Sequence, residues 1–179
     1  MTRLQIVIPV LVSLVAACAE RTPTSPDAAI GAFASASGLA AKNGSARPFG
    51  GRCDTEITVL APLPGDTPNL LRLHIDYACQ LQHLGNTTAS NEQIVIFTSP
   101  TTGTSSNTTT YTAANGDQLF STWTGTLTAN GPDVIFSGPE TYSGGTGRFT
   151  NASGSSIISG NGSLATRTAQ FTMTGTLSY

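Results

Sequence analysis

From residue 55 to the C-terminus, apolar and polar residues alternate in short runs separated by Gly, Asn, Pro and Asp. The clearest run is LLRLHIDYACQL. Leu71, Leu73, Ile75, Tyr77, Cys79 and Leu81 share one face, and Arg72, His74, Asp76, Ala78 and Gln80 share the other. A period of two in β-branched and aromatic residues predicts a strand with one buried face. EQIVIFTS gives a second strand. NTTTYTAANGDQLFSTWTGTLT reads as two strands joined at Asn115-Gly116-Asp117, a favoured tight hairpin turn. PDVIFSGPETY, GSSIISGNGSL and TAQFTMTGTLSY add three more, and residues 55–60 bring the set to about eight. No stretch in this region carries a helical period.

Short turns require antiparallel neighbours, and eight such strands either close into a barrel or stack as a sandwich. The expected fold is all-β, an antiparallel barrel of about eight strands, because closure removes exposed edges in a chain whose only lysine is Lys42. The last run fits a final barrel strand: Ala169, Phe171, Met173, Gly175, Leu177 and Tyr179 on one face, Gln170, Thr172, Thr174, Thr176 and Ser178 on the other. That Thr and Gln face excludes a lipid-embedded porin, whose outer face is apolar. A β-sandwich adhesion module, with two open sheets and no enclosed cavity, is the alternative.

One glycine-rich segment, YSGGTGRFTNASG at residues 142–154, could be a phosphate cradle or a turn. A P-loop needs Gly, four residues, then Gly-Lys and a hydroxyl residue between a strand and a helix. Here Arg148 replaces the lysine, the spacing differs and strand-like sequence lies on both sides. The dinucleotide pattern fails as well, since position 150 is Thr. Gly144, Gly145 and Gly147 are therefore expected at positive backbone φ in a bulged turn, with Phe149 packed beneath it.

The first twenty residues break the pattern. MTRLQIVIPVLVSLVAACAE has one cation, Arg3, then an almost wholly apolar run from Leu4 to Ala17, then a cysteine. This is a secretory signal layout, and the run is too short for the roughly 20 residues of a membrane-spanning helix. LVAAC resembles the bacterial lipobox, which implies cleavage before Cys18 and lipidation of that residue; an ordinary signal with a chance cysteine is the alternative. Acyl chains on Cys18 would anchor the protein to a membrane. Ala19 is not the Asp associated with retention at the inner membrane, so the resemblance implies an outer-membrane location in a cell that has one. The expected organisation is a signal peptide at 1–17, the lipidated cysteine and a flexible linker at 18–48, and a barrel domain at 49–179. The linker reading rests on Ala, Ser, Pro and Gly with no sustained period, against a short helix around Ala28 to Ala41.

Composition narrows the function. Only 10% of residues are charged, and the net charge is −2. No basic surface exists to neutralise phosphates, so nucleic acid is not an expected partner. With Cys18 assigned to lipid, Cys53 and Cys79 remain as a pair in an exported chain. A hairpin centred on Asp66 sets them opposite one another on neighbouring strands, within disulfide range. A metal site would have only His74 and His83 to add, without ligand spacing, so no metal or cofactor is expected. Gly-x-Ser-x-Gly and His-Glu-x-x-His motifs are absent, which argues against the common hydrolase and metalloenzyme classes.

Three short motifs occur in order: His83-Leu84-Gly85, Ala114-Asn115-Gly116-Asp117, and Gly144 to Phe149 followed by Ala152 and Gly154. The last is similar to the glycine-rich turn of plant dirigent proteins and allene oxide cyclases, which share an eight-stranded antiparallel barrel. The ordered trio resembles a group of bacterial secreted proteins. The likeness covers roughly residues 53–179 and implies a barrel whose interior holds an apolar molecule, with inward acids guiding ring closure or coupling. No catalytic position transfers residue by residue.

Glu140 is the one acid on the large-apolar face of an expected strand, alongside Val134, Phe136 and Tyr142. Inward, it would be a general acid or base with a raised pKa; at the rim, it would pair with Arg148 across the hairpin. Trp123 shares a face with Leu119 and Leu127 and belongs to the core or to a cavity wall. Trp123, Phe136, Tyr142 and His83 are the possible pocket residues, His83 at a barrel mouth or else as a turn residue bonded to backbone. Two functions follow: a lipid-anchored envelope barrel that binds a small apolar ligand or an envelope partner, or a cyclase- or dirigent-like enzyme using Glu140.

Overall fold

The computed structural model describes residues 44–179. The signal segment, Cys18 and the linker up to residue 43 lie outside the described residues. Those described form eight strands: β1 Arg47–Val59, β2 Leu70–Leu81, β3 Gly85–Phe97, β4 Thr102–Thr112, β5 Gln118–Asn130, β6 Asp133–Gly145, β7 Ser153–Ser163 and β8 Thr168–Ser178. Each pairs antiparallel with the next, and β1 also pairs with β8, so the sheet closes as an up-and-down barrel. No open sheet edge remains, which rules out the sandwich.

Alternation fixes the register. On β2, Leu73, Ile75, Tyr77, Cys79 and Leu81 are all buried, as a strand with one inward face requires. β1 and β2 pair with Cys53 opposite Cys79, and the two form a disulfide with Cα atoms 4.0 Å apart. Asp66 holds the connection between these strands. Its carboxylate accepts from the Leu63 amide at 2.8 Å and takes both Arg72 Nε and a terminal Arg72 nitrogen at 2.8 Å. The paired guanidinium lowers the Asp66 pKa to about 2.

Two strands are longer than their patterns suggest. β1 begins at Arg47, two residues inside the segment expected as linker, and from Arg47 to Glu56 it pairs with β8 from Leu177 to Thr168. Pro48, Gly50 and Gly51 disguise it, since they are poor strand formers that tertiary pairing overrides. β3 begins at Gly85, well before Glu92, because its inward residues there include Thr87 and Asn91, and polar residues on both faces erase the apolar period.

One end of the barrel is solid. Phe49, Leu84, Leu119, Phe149 and Leu177 are each 2% exposed or less and fill the space between the sheet walls. Over them lies the YSGGTGRF turn, which folds as a short 3-10 turn, Gly147–Phe149. Gly144 and Gly147 take positive φ, 99° and 54°, and a Cβ at Gly147 would overlap the Asp117 carboxylate. Gly145 departs from the expectation: its backbone is ordinary, and it is small because a Cβ would strike the Gln118 carbonyl. The expected bulge is present, as β6 spends one extra residue between the pairs Ser121–Tyr142 and Leu119–Gly145. Arg148 straps this cap down: its guanidinium donates to the His83 carbonyl at 2.5 Å, and its Nε lies 3.7 Å from Asp117.

Candidate functional site

The opposite end is open. A cavity of about 210 Å³ runs inward from the turns between β3 and β4, β5 and β6, and β7 and β8, where Pro100, Pro132 and Leu164 border it. Because β1 starts at the solid end, the chain enters the domain on the side away from this mouth. Two walls are apolar, with Ile57, Leu73 and Ile75 from β1 and β2 and Trp123, Leu127, Phe136, Ile158 and Phe171 from β5 to β8. The third is polar, formed by Gln93 on β3 with Asn107 and Thr109 on β4. A volume somewhat above the ~150 Å³ of an apolar cavity that holds benzene is enough for a small ligand.

Trp123 is set into its wall by glycine. Its indole lies over Gly125, where a Cβ would overlap the ring, and its Nε1 donates to the Gly138 carbonyl at 3.2 Å. A side chain at Gly125 would therefore turn the indole inward.

Glu140 marks the boundary between cavity and solid end. It lines the cavity yet is only 1% exposed. Tyr111 and Ser121 donate to its Oε1 at 2.9 and 2.8 Å, and Tyr142 and Ser156 donate to its Oε2 at 2.9 and 3.3 Å. Burial raises its pKa, and the four hydroxyls work against that rise by stabilising the carboxylate. Burial also pushes Tyr77, Tyr111 and Tyr142 upward, and the nearby Glu140 charge adds to each, so these phenols stay protonated hydrogen-bond donors. The rim pair with Arg148 does not exist. Glu140 faces inward on β6 among hydroxyls, while Arg148 is engaged outside the barrel with Asp117 and His83.

Trp123 and Phe136 line the cavity, and their rings meet edge to face at 6.3 Å. Tyr142 does not reach it: its hydroxyl serves Glu140, and its ring packs edge-on against Phe49 at 5.1 Å in the solid end. His83 lies at that same closed end rather than at the mouth. It sits in the β2–β3 turn with φ 67°, and its Nε2 is 2.9 Å from the Pro48 carbonyl. The polar wall escaped the sequence reading. Asn91, on β3, donates through Nδ2 to Tyr77 at 2.9 Å and to Thr109 at 2.6 Å. Thr109 donates to Asn107 at 3.1 Å, and Asn107 donates to Gln93 at 2.9 Å. The signal was there as Asn91, Gln93, Asn107 and Thr109 at strand spacing, but nothing in an alternating run of polar residues says which face turns inward.

Among the described residues no cluster of three or more His, Cys, Asp or Glu side chains could hold a metal. Fold and site together define an up-and-down barrel with a solid base, one mouth and a buried carboxyl between them. No protein-family model matches the chain, and neither does any curated protein.

Proposed function

We propose that this is an exported envelope protein, anchored through lipid on Cys18, whose barrel holds a small apolar ligand. The observation that carries the reading is the one-mouthed cavity lined by aliphatic and aromatic side chains, because apolar surface left facing an open space is where a ligand gains from desolvation. The lipobox-like LVAAC supports the anchor, and the Gly144–Gly154 turn, similar to that of dirigent proteins and allene oxide cyclases, supports the ligand-holding role.

Trp123 is the only tryptophan and lines the cavity, so its emission reports occupancy. Full-length chain carrying Cys18→Ser and offered an envelope lipid extract should retain a small mass by native mass spectrometry and shift its tryptophan emission. A clean apo mass with unchanged emission would refute the reading. Incorporation of labelled palmitate into wild type but not Cys18→Ser tests the anchor. A second reading is favoured by Glu140, a buried acid facing the cavity: a cyclase- or dirigent-like enzyme in which Glu140 exchanges a proton with the bound molecule. It requires that a retained compound leave chemically changed, and that Glu140→Gln stop the change without stopping retention.

A further inference from the structure

We infer that the cavity takes an uncharged apolar molecule bearing a hydroxyl-type group and excludes anionic amphiphiles. The inference rests on the ligand-holding reading and specifies the class of ligand.

Charge comes first. Among the described residues that line the cavity there is no Lys, Arg or His, while two acids are present, Glu140 at the inner end and Asp133 at the mouth. A carboxylate or phosphate head drawn inside would lose its water and meet no counter-charge, a penalty that its apolar tail cannot offset. Arg72 is committed to Asp66 and Arg148 to the cap of the solid end, and Arg167, in the β7–β8 turn beside the mouth, lies outside the lining, so a head drawn inside meets none of them.

Hydrogen bonding then sets what the ligand must carry. Donors on the polar wall are largely consumed within it, running from Asn91 to Tyr77 and Thr109, from Thr109 to Asn107, and from Asn107 to Gln93. The hydroxyls around Glu140 are consumed by its carboxylate. Among the fully buried side-chain atoms of the described residues, one is left over. Asn91 is 8% exposed, and its Oδ1 has no partner among the described residues. Such an orphan costs on the order of 1–3 kcal/mol unless something fills it. Turning the amide over exchanges an orphan acceptor for an orphan donor, so this network is one bond short in either orientation. Asn91 does not itself line the cavity but bonds Tyr77 and Thr109, both of which do, so a hydroxyl at the polar wall joins their network and reaches Asn91 through them.

The test compares octan-1-ol with octanoate on the full-length Cys18→Ser chain, followed by Trp123 emission at pH 7.5. Octanol should bind at least 10-fold more tightly. Lowering the pH towards the acid's own titration should strengthen octanoate binding by up to about 10-fold per unit and leave octanol nearly unchanged, because only the neutral acid enters. Asn91→Leu should weaken octanol binding about 5-fold or more, and the melting temperature of the empty protein should hold or rise, since the orphan is gone. Octanoate binding as tightly as octanol at pH 7.5 overturns the exclusion of anions while leaving a ligand-holding barrel. Octanol affinity unchanged in a folded Asn91→Leu overturns the hydroxyl requirement. Binding of neither probe overturns the ligand-holding reading itself.

Discussion

Breaking the Cys53–Cys79 bond tests how the barrel is held together. The two residues are 26 positions apart. Joining them removes loop-closure entropy from the unfolded chain of about 12 cal/mol/K, or about 3.5 kcal/mol at 25 °C. For a domain of this size the unfolding entropy is on the order of 0.3 kcal/mol/K, so the loss should lower the melting temperature by about 12 °C. Both sulfur atoms are buried, so the cleanest comparison unfolds the protein in denaturant with reductant, refolds it and melts it beside the oxidised form by circular dichroism. The cross-link acts on the unfolded chain, so the denaturant slope should also rise on reduction as that chain expands. A double Cys53→Ala/Cys79→Ala variant should fall at least as far, because it also vacates buried volume. A reduced protein that melts within about 3 °C of the oxidised one, with the same denaturant slope, would refute the entropic account.

Other perturbations read other parts of the molecule. Glu140 has a folded pKa above its ordinary 4.5, so the native state binds the extra proton. Stability is then greatest below pH 4.5 and falls as pH rises through the folded value, by about 1.4 kcal/mol for every unit of difference. Glu140→Gln should flatten that decline in melting temperature between pH 4 and pH 8, and parallel curves for the two proteins would count against a buried titrating acid. Gly125→Val should swing the Trp123 indole into the cavity and abolish the emission response to octanol; a variant that still binds would show that the indole yields elsewhere. Phe149→Ala removes a fully buried ring from the solid end and should cost about 3–5 kcal/mol by denaturant melts, whereas a loss under 1 kcal/mol would mean that the cap is not part of the core.

The barrel was legible because its signals are local. Period-two runs, the Asn115-Gly116-Asp117 turn and the pairing of Cys53 with Cys79 all follow from spacing alone. Of the site, Trp123 and Phe136 were legible as inward aromatics, and Glu140 as the acid sharing their alternation. Its setting was not: whether Glu140 meets Arg148 or Tyr111, Ser121 and Ser156 depends on β4, two strands away, and on the registers of β5 and β7 against β6, one of them shifted by a bulge, which no local spacing reveals. His83 illustrates the converse. Its position after a strand placed it at a barrel end, but an up-and-down barrel has two ends, and alternate turns belong to each. Only the packing of Leu84 and Phe149 beneath it makes that end the solid one.

The distribution of costly groups along the barrel axis carries the functional argument further. A filled barrel needs no buried carboxyl, and an aliphatic residue at position 140 would avoid its desolvation. The solid end follows that logic, with Phe49, Leu84, Leu119, Phe149 and Leu177 as its filling. Of the two costly polar side chains, Glu140, with no cationic partner, lines the cavity, and Asn91, with an orphan oxygen, is hydrogen-bonded to Tyr77 and Thr109, which line it. Four hydroxyls from three other strands and from β6 itself converge on Glu140, an arrangement that holds an acid in place rather than one that tolerates a stray charge. Groups held at such cost beside an open apolar space are placed for whatever enters that space. The same arrangement separates the roles of the two ends, one supplying stability and the other recognition, so that changes at Phe149 should lower melting without altering ligand choice, and changes at Asn91 should alter ligand choice without lowering melting.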